Sequence, residues 1–162
     1  MIRIREGTGD DIGFLREMGY EAAFWRPGER RPPADVVVSD VHLARYLTGW
    51  GRPGDVAVIA EDAAGRSLGA AWYRLFAASQ PGYGFVSETT PELSIAVSAG
   101  ARGNGVGTAL LRALIDRART SGVEALSLSV ETENPALRLY ERVGFRVHER
   151  GDQAVTMRLD LG

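Results

Sequence analysis

Residues Arg102 to Thr108, read as Arg102-Gly103-Asn104-Gly105-Val106-Gly107-Thr108, are the part of this chain best suited to hold a charged ligand. They stand where an apolar, alternating segment gives way to a helical pattern. A helix N-terminus presents unpaired N–H groups and a partial positive charge, and both favour a phosphate. Gly103, Gly105 and Gly107 clear side chains from the approach of an extended anion such as a pyrophosphate. They also permit the positive φ angles that point successive amides at it. Arg102 can add charge-assisted hydrogen bonds to the same oxygens. The competing reading is a tight turn that needs only conformational freedom; alternating glycines beside an arginine favour the anion site. Two other phosphate motifs do not fit. A dinucleotide fingerprint begun at Gly103 needs glycine where Thr108 stands. A Walker loop needs lysine, and all 19 basic residues are arginine. The missing lysine also removes Schiff-base chemistry. The missing cysteine removes disulfides, thiol nucleophiles and thiolate metal sites.

Such a turn works only if a strand and a helix hold it in place. The chain has 162 residues, 44% of them apolar, which suits a single domain, residues 1–162, with a real core. The formal net charge of -2 sets up no field for nucleic acid or an anionic membrane. The longest apolar runs are too short to span a bilayer, and Met1 to Glu6 has no signal-type stretch. A cytoplasmic protein without membrane or nucleic-acid partners is expected.

Ile2 to Arg5 alternates as a first strand. Thr8 or Asp10 can cap a helix carrying Ile12, Leu15, Met18, Tyr20 and Ala23. Arg26 to Pro33 is a polar, proline-rich break. Ser39 reads as the cap of a second helix, Asp40 to Thr48. Asp55 to Glu61 and Ser67 to Phe76 are strands joined by the turn Asp62-Ala63-Ala64-Gly65. Ala77 to Thr89, rich in glycine and serine, is a candidate substrate loop. Pro91 to Val97 is a strand with Leu93, Ile95 and Val97 on one side and Glu92, Ser94 and Ala96 on the other. After the glycines, Leu110, Leu111, Leu114, Ile115 and Ala118 recur at helical spacing. Ala125 to Val130 is a strand. Asn134-Pro135 opens a helix with Ala136, Leu139, Tyr140 and Val143 on one face. Phe145 to Glu149 and Ala154 to Leu159 form a final hairpin. The fold class is mixed α/β (α+β): about seven mostly antiparallel strands and four helices, with a parallel pair at the centre joined through the glycine-rich turn.

Arg102-Gly103-Asn104-Gly105-Val106-Gly107 follows the pattern R-x-x-G-x-G. With Asn134, Ala136, Leu139, Tyr140 and Gly144-Phe145 as a second signature in the right order, the sequence resembles the GCN5-related N-acetyltransferase (GNAT) family over most of its length. One departure is Ala99, where a proline is often found. The resemblance implies that the strand from Leu93 to Val97 carries a bulge and splays from its parallel neighbour. It also implies that the pantetheine arm of acetyl-CoA lies in the splay beside Ile95 and Val97. The turn from Arg102 through Gly103, Asn104, Gly105, Val106 and Gly107 to Thr108 would hold the pyrophosphate. Asn134 would cap its helix and bond near the pantetheine.

Acetyl transfer to an amine needs a neutral nitrogen, so a carboxylate or a water chain must take its proton. Glu92, on the strand leading into the splay, is the best candidate base, and Glu88 is a weaker one; the alternative for Glu92 is an ordinary strand-end carboxylate. By resemblance Tyr140 donates a proton to the leaving thiolate; it also fits the apolar face of its helix. Neither His42 nor His148 has a metal-ligand spacing, and no metal is expected. The acceptor is read as the primary amine of a small molecule or peptide, met by Phe24, Trp25, Trp72, Tyr73, Phe76 and the 26–33 and 77–89 loops. The arginines near residue 30 hint at an acidic acceptor. Pairing of two copies through the final hairpin is expected from the family habit of dimerisation. The rival function is an acyl-CoA-binding sensor or interaction module on the same fold, which would not require Tyr140.

Overall fold

Every segment with strand-like patterning is a strand in the computed structural model, which describes residues 1–35 and 40–162. The strands are β1 (Arg3–Glu6), β2 (Val56–Glu61), β3 (Ser67–Arg74), β4 (Glu92–Val97), β5 (Ala125–Glu131), β6 (Arg146–Arg150) and β7 (Ala154–Asp160). The helices are α1 (Ile12–Ala23), α2 (Val41–Ala44), α3 (Val106–Thr120) and α4 (Ala136–Arg142). One sheet of seven strands runs in the order β1-β2-β3-β4-β5-β7-β6. The expected element order and the central parallel pair are both present. No described helix is long and apolar enough to cross a membrane.

The two faces of β4 serve two cores. Leu93, Ile95 and Val97 pack with Leu110, Leu111 and Leu114 of α3 and with Leu126, Leu128 and Val130 of β5. Ala96, on the opposite face, joins Trp72, Ile59, Leu15 and Met18 in a smaller cluster beneath α1. Leu110, Leu111 and Leu114 are 0% exposed. Burying a leucine contributes on the order of 2 kcal/mol, so these contacts hold the N-terminus of α3 against the end of β4.

The parallel pair is nearly unzipped. Its ladder has one registered pair, Glu92↔Ser127, backed by the Ser127 amide donating to Pro91 O at 2.9 Å. The splay expected from the family resemblance is therefore there, but the bulge is not. β4 registers against β3 without a shift from Gly69↔Val97 to Arg74↔Glu92. β5 is equally continuous with β7, from Ala125↔Asp160 to Glu131↔Ala154. Each central strand stays fully paired on its outer side while making a single rung with the other.

Strand ends differ from expectation by one or two residues, β3 stopping at Arg74 rather than Phe76, and the helices differ in three places. The second helix is Val41–Ala44 rather than Asp40 to Thr48. Asp40 caps it, accepting from the amides of His42 at 2.9 Å and Leu43 at 3.3 Å; the expected cap, Ser39, lies outside the described residues. After Ala44 the chain continues as turns, with the Thr48 amide donating to Ala44 O at 2.8 Å, and the carbonyls of Arg45 and Thr48 accept from the Arg74 side chain. Thr8 caps a 3-10 turn at Gly9–Asp11 rather than α1 itself, in a reciprocal capping box with Asp11. Asn134 accepts from the Ala136 amide at 3.0 Å, and Pro135 rather than Asn134 is the residue flanking α4.

Candidate active site

The parting of β4 and β5 opens a cavity of about 1450 Å³ whose lining draws on both faces of the sheet. On the α3 side it is bordered by Ile95, Val97, Arg102, Gly107, Asn134, Leu139 and Tyr140. On the α1 side it is bordered by Phe24, Trp25, Tyr46, Trp72, Tyr83, Glu92, Ser94 and Glu131.

The α3 side is made by the glycine turn. Gly103 has φ +82° and Gly105 φ +79°. A Cβ at either would meet nothing within 4 Å, so it is the left-handed backbone, not crowding, that calls for glycine. Gly105 flanks the first residue of α3, and no side chain caps the helix, which leaves its leading amides for a ligand. Val106 is buried and can offer only its backbone. The Asn104 side chain folds back 3.5 Å from Ala101 O. Of the stretch from Arg102 to Thr108, Arg102 and Gly107 border the cavity; Gly103, Asn104, Gly105, Val106 and Thr108 form the turn beside it. Arg102 donates to Val97 O at 3.3 Å and to Glu21 at 3.2 Å. A Cβ at Gly107 would stand 3.4 Å from Leu139 and 3.8 Å from Val97, so a larger residue would narrow the cleft between β4 and α4.

The α1 side carries the titratable chemistry. Glu92 is 2% exposed. One of its oxygens accepts a very short hydrogen bond from the Tyr46 hydroxyl. That hydroxyl itself accepts from the Tyr83 amide at 2.8 Å. Burial pushes the Glu92 carboxyl up to about 7, opposed by Tyr46 and by the nearby Gly84 amide, which favour the charged form. Glu92 Oε1 makes no hydrogen bond of good geometry among the described residues. Trp72 Nε1 and the hydroxyl of Ser127, the registered neighbour of Glu92, are also buried without partners. Burial, and then the Glu92 charge, push the Tyr46 hydroxyl far above its usual range. Tyr140 is 7% exposed, and burial raises its hydroxyl as well. It packs edge-on against Phe145 at 6.0 Å while bordering the cavity. The 77–89 loop closes over Glu92. A Cβ at Gly82 would collide with the carboxylate, and one at Gly84 would stand 2.5 Å from the Leu128 carbonyl carbon.

Residues 18–145 match the model of the acetyltransferase (GNAT) family. The chain belongs to that family. It is 38% identical over 146 residues, 87% of this chain and 77% of the relative, to the L-methionine sulfoximine/L-methionine sulfone acetyltransferase of Pseudomonas paraeruginosa. A Salmonella typhimurium structure, assigned as an acetyltransferase and solved with its cofactor acetyl-CoA, is 25% identical with a TM-score of 0.72, over 100% of this chain and 95% of that one. The GNAT superfamily phosphinothricin acetyltransferase of Sinorhizobium meliloti, in complex with acetyl-CoA, gives 0.69 at 22% identity, over 99% and 89%. These likenesses favour a catalytic acetyltransferase over a binding-only module.

For this acetyltransferase, sequence reasoning placed Glu92, Tyr140, Asn134, Ile95, Val97 and Arg102 on the segments that border the cavity. Glu88 is not among them: it is exposed and accepts from the Ala78 amide at 2.9 Å. His42 and His148 are both exposed. Tyr73 is buried in the larger core, and Phe76, 6% exposed, does not border the cavity. Two of the loop arginines are paired with carboxylates that border the cavity. Arg26 pairs with Glu131 and Glu133 at 3.2 and 2.6 Å, and Arg31 pairs with Glu21 at 2.9 Å. Tyr46 was missed, and so was the contact of Trp25 Nε1 with Glu131 at 2.9 Å. Neither has a sequence signal beyond an aromatic residue near a helix end.

Proposed function

We propose that the chain moves the acetyl group of acetyl-CoA directly to the primary amine of a small acceptor held on the α1 side of the splay. The observation that carries this reading is the unpaired oxygen of Glu92, buried in the cavity wall with its carboxyl lifted to about 7. A carboxylate in that state can take a proton near neutral pH, passed to it along a water chain from the bound ammonium, and leave the nitrogen with a free lone pair. The amides of the 102–108 turn, with Arg102, would hold the pyrophosphate. Ile95, Val97 and Asn134 would line the pantetheine arm, whose amides can replace the rungs that β4 and β5 do not make with each other. Strand amides there can also donate to the charge developing on the carbonyl oxygen. Tyr140, on the α3 side, would protonate the departing thiolate. Base and acid thus stand on opposite faces of one strand gap, which suits transfer within a ternary complex.

Phe24, Trp25, Trp72 and Tyr83 border the acceptor side and suit an amine with a compact apolar body. The relatives named for methionine sulfoximine and phosphinothricin support a free small-molecule amine over a protein substrate. The test is a panel of amines, including methionine sulfoximine and methionine sulfone, incubated with acetyl-CoA and read by mass and by thiol release. One or more acetylated products are expected. Tight coenzyme A binding with no product from any amine would leave a binding module instead.

A further inference from the structure

Glu92 has a cationic neighbour that does not touch it. In the β3–β4 register Arg74 stands directly opposite Glu92. Opposed residues of an antiparallel pair have Cβ atoms about 5 Å apart, a separation at which a guanidinium and a carboxylate ordinarily join. Arg74 turns elsewhere. Its Nε and Nη2 donate to the two oxygens of Asp55 at 3.0 and 2.6 Å. Its Nη1 donates to the carbonyls of Arg45 and Thr48 at 3.0 and 2.8 Å, and the Trp50 ring lies 5.3 Å from the guanidinium carbon. The two side chains are 1% and 2% exposed. Asp55 also accepts from the amides of Gly51 and Arg52 at 3.0 and 2.9 Å. The segment these contacts tie down, Arg45 to Thr48, carries Tyr46.

Among the described residues, the other groups around Glu92 bring it no positive charge. Tyr46, from the α2–β2 connection, donates to it, and Tyr83, from the β3–β4 loop, supports Tyr46. Ser127 faces it from β5. Arg45 donates to the Pro81 carbonyl at 2.6 Å.

We propose that Asp55 is a positioning residue for acetyl transfer: by holding Arg74 it keeps the guanidinium off Glu92 and fixes Tyr46 against that carboxylate. The inference rests on Glu92 as the base. A cation within hydrogen-bond reach lowers a carboxyl pKa by about 1–3 units. Such a Glu92 would be ionised throughout the working range but too weak to keep the proton it takes. Asp55 therefore matters to the chemistry through a contact it prevents.

The test is titration of the Glu92 carboxyl by NMR of isotope-labelled glutamate, which needs no turnover. In the native chain the midpoint is expected at about 7. In Asp55→Asn the released guanidinium turns to Glu92, and the midpoint falls by about one pH unit or more. In the double variant Arg74→Gln/Asp55→Asn no cation remains and the hold on Tyr46 is loosened, so the midpoint stays at native or rises by up to about one pH unit. An unmoved midpoint in Asp55→Asn overturns the proposal. A fall of about one pH unit in the double variant overturns it too, because that fall cannot come from Arg74. Asp55→Asn leaves a buried guanidinium unpaired; if it does not fold, Arg74→Lys/Asp55→Asn, whose amine can be buried uncharged and ionises beside Glu92, takes its place with the same expected fall. Failure of the underlying reading looks different: Glu92→Gln would keep full kcat/KM whatever the titrations show.

Discussion

On the α3 side of the splay, the residues proposed to hold the donor come mostly from one unbroken piece of chain, Ile95 to Thr108. On the α1 side, Trp25, Tyr46, Trp72, Tyr83, Glu92 and Glu131 arrive from separate segments and meet only in the fold. A fixed ligand can be gripped by local backbone geometry, which forces a local pattern of glycines. A variable acceptor is met by side chains from several loops, each replaceable without disturbing the turn. The same contrast holds for charge. The donor side offers open amides and a half-exposed arginine. The acceptor side buries a carboxylate and diverts the nearest guanidinium.

Glu92→Gln should break the acceptor side most. A drop in kcat/KM of about 10²–10⁴ is expected near pH 8, with coenzyme A affinity by calorimetry unchanged. The same variant should be the more stable protein there. A carboxyl raised from 4.5 to about 7 by folding costs nothing below pH 4.5, and its full penalty is present above pH 7. That penalty is on the order of 1–3 kcal/mol, so thermal melts of Glu92→Gln and the native chain should coincide at pH 4.5 and separate as pH rises.

Gly105→Ala should break the donor side alone. A left-handed alanine costs about 1–2 kcal/mol, so the dissociation constant for coenzyme A should rise about tenfold while the Glu92 titration stays where it was. Tyr140→Phe should lower kcat by about tenfold with donor affinity unchanged, and an unchanged kcat would remove Tyr140 as the acid. The finest test is Tyr46→Phe. Its hydroxyl favours the charged carboxylate, so its loss should move the acidic limb of kcat/KM upward by about half to one pH unit and leave the plateau rate nearly intact.

Legibility in the sequence follows the same division. The strands, the helices and the Arg102–Thr108 turn were readable because alternation, helical spacing and glycines are local signals. Glu92 could be placed on its strand, but not its burial, since nothing near residue 92 announces that Tyr46 and Gly82 to Gly84 will cover it. The length of α2 was misread because the carbonyls after Ala44 find a partner far off in sequence, the Arg74 side chain on β3. The missing bulge has a similar cause: the parting of β4 from β5 lies in how each strand pairs on its far side, which no short window contains.

The single rung at Glu92 and Ser127 leaves the two half-sheets joined at one point. Beyond it the facing edges of β4 and β5 are free of each other, which is the room a long, thin thioester needs. The buried carboxylate sits at the seam, where the backbone is pinned from both sides.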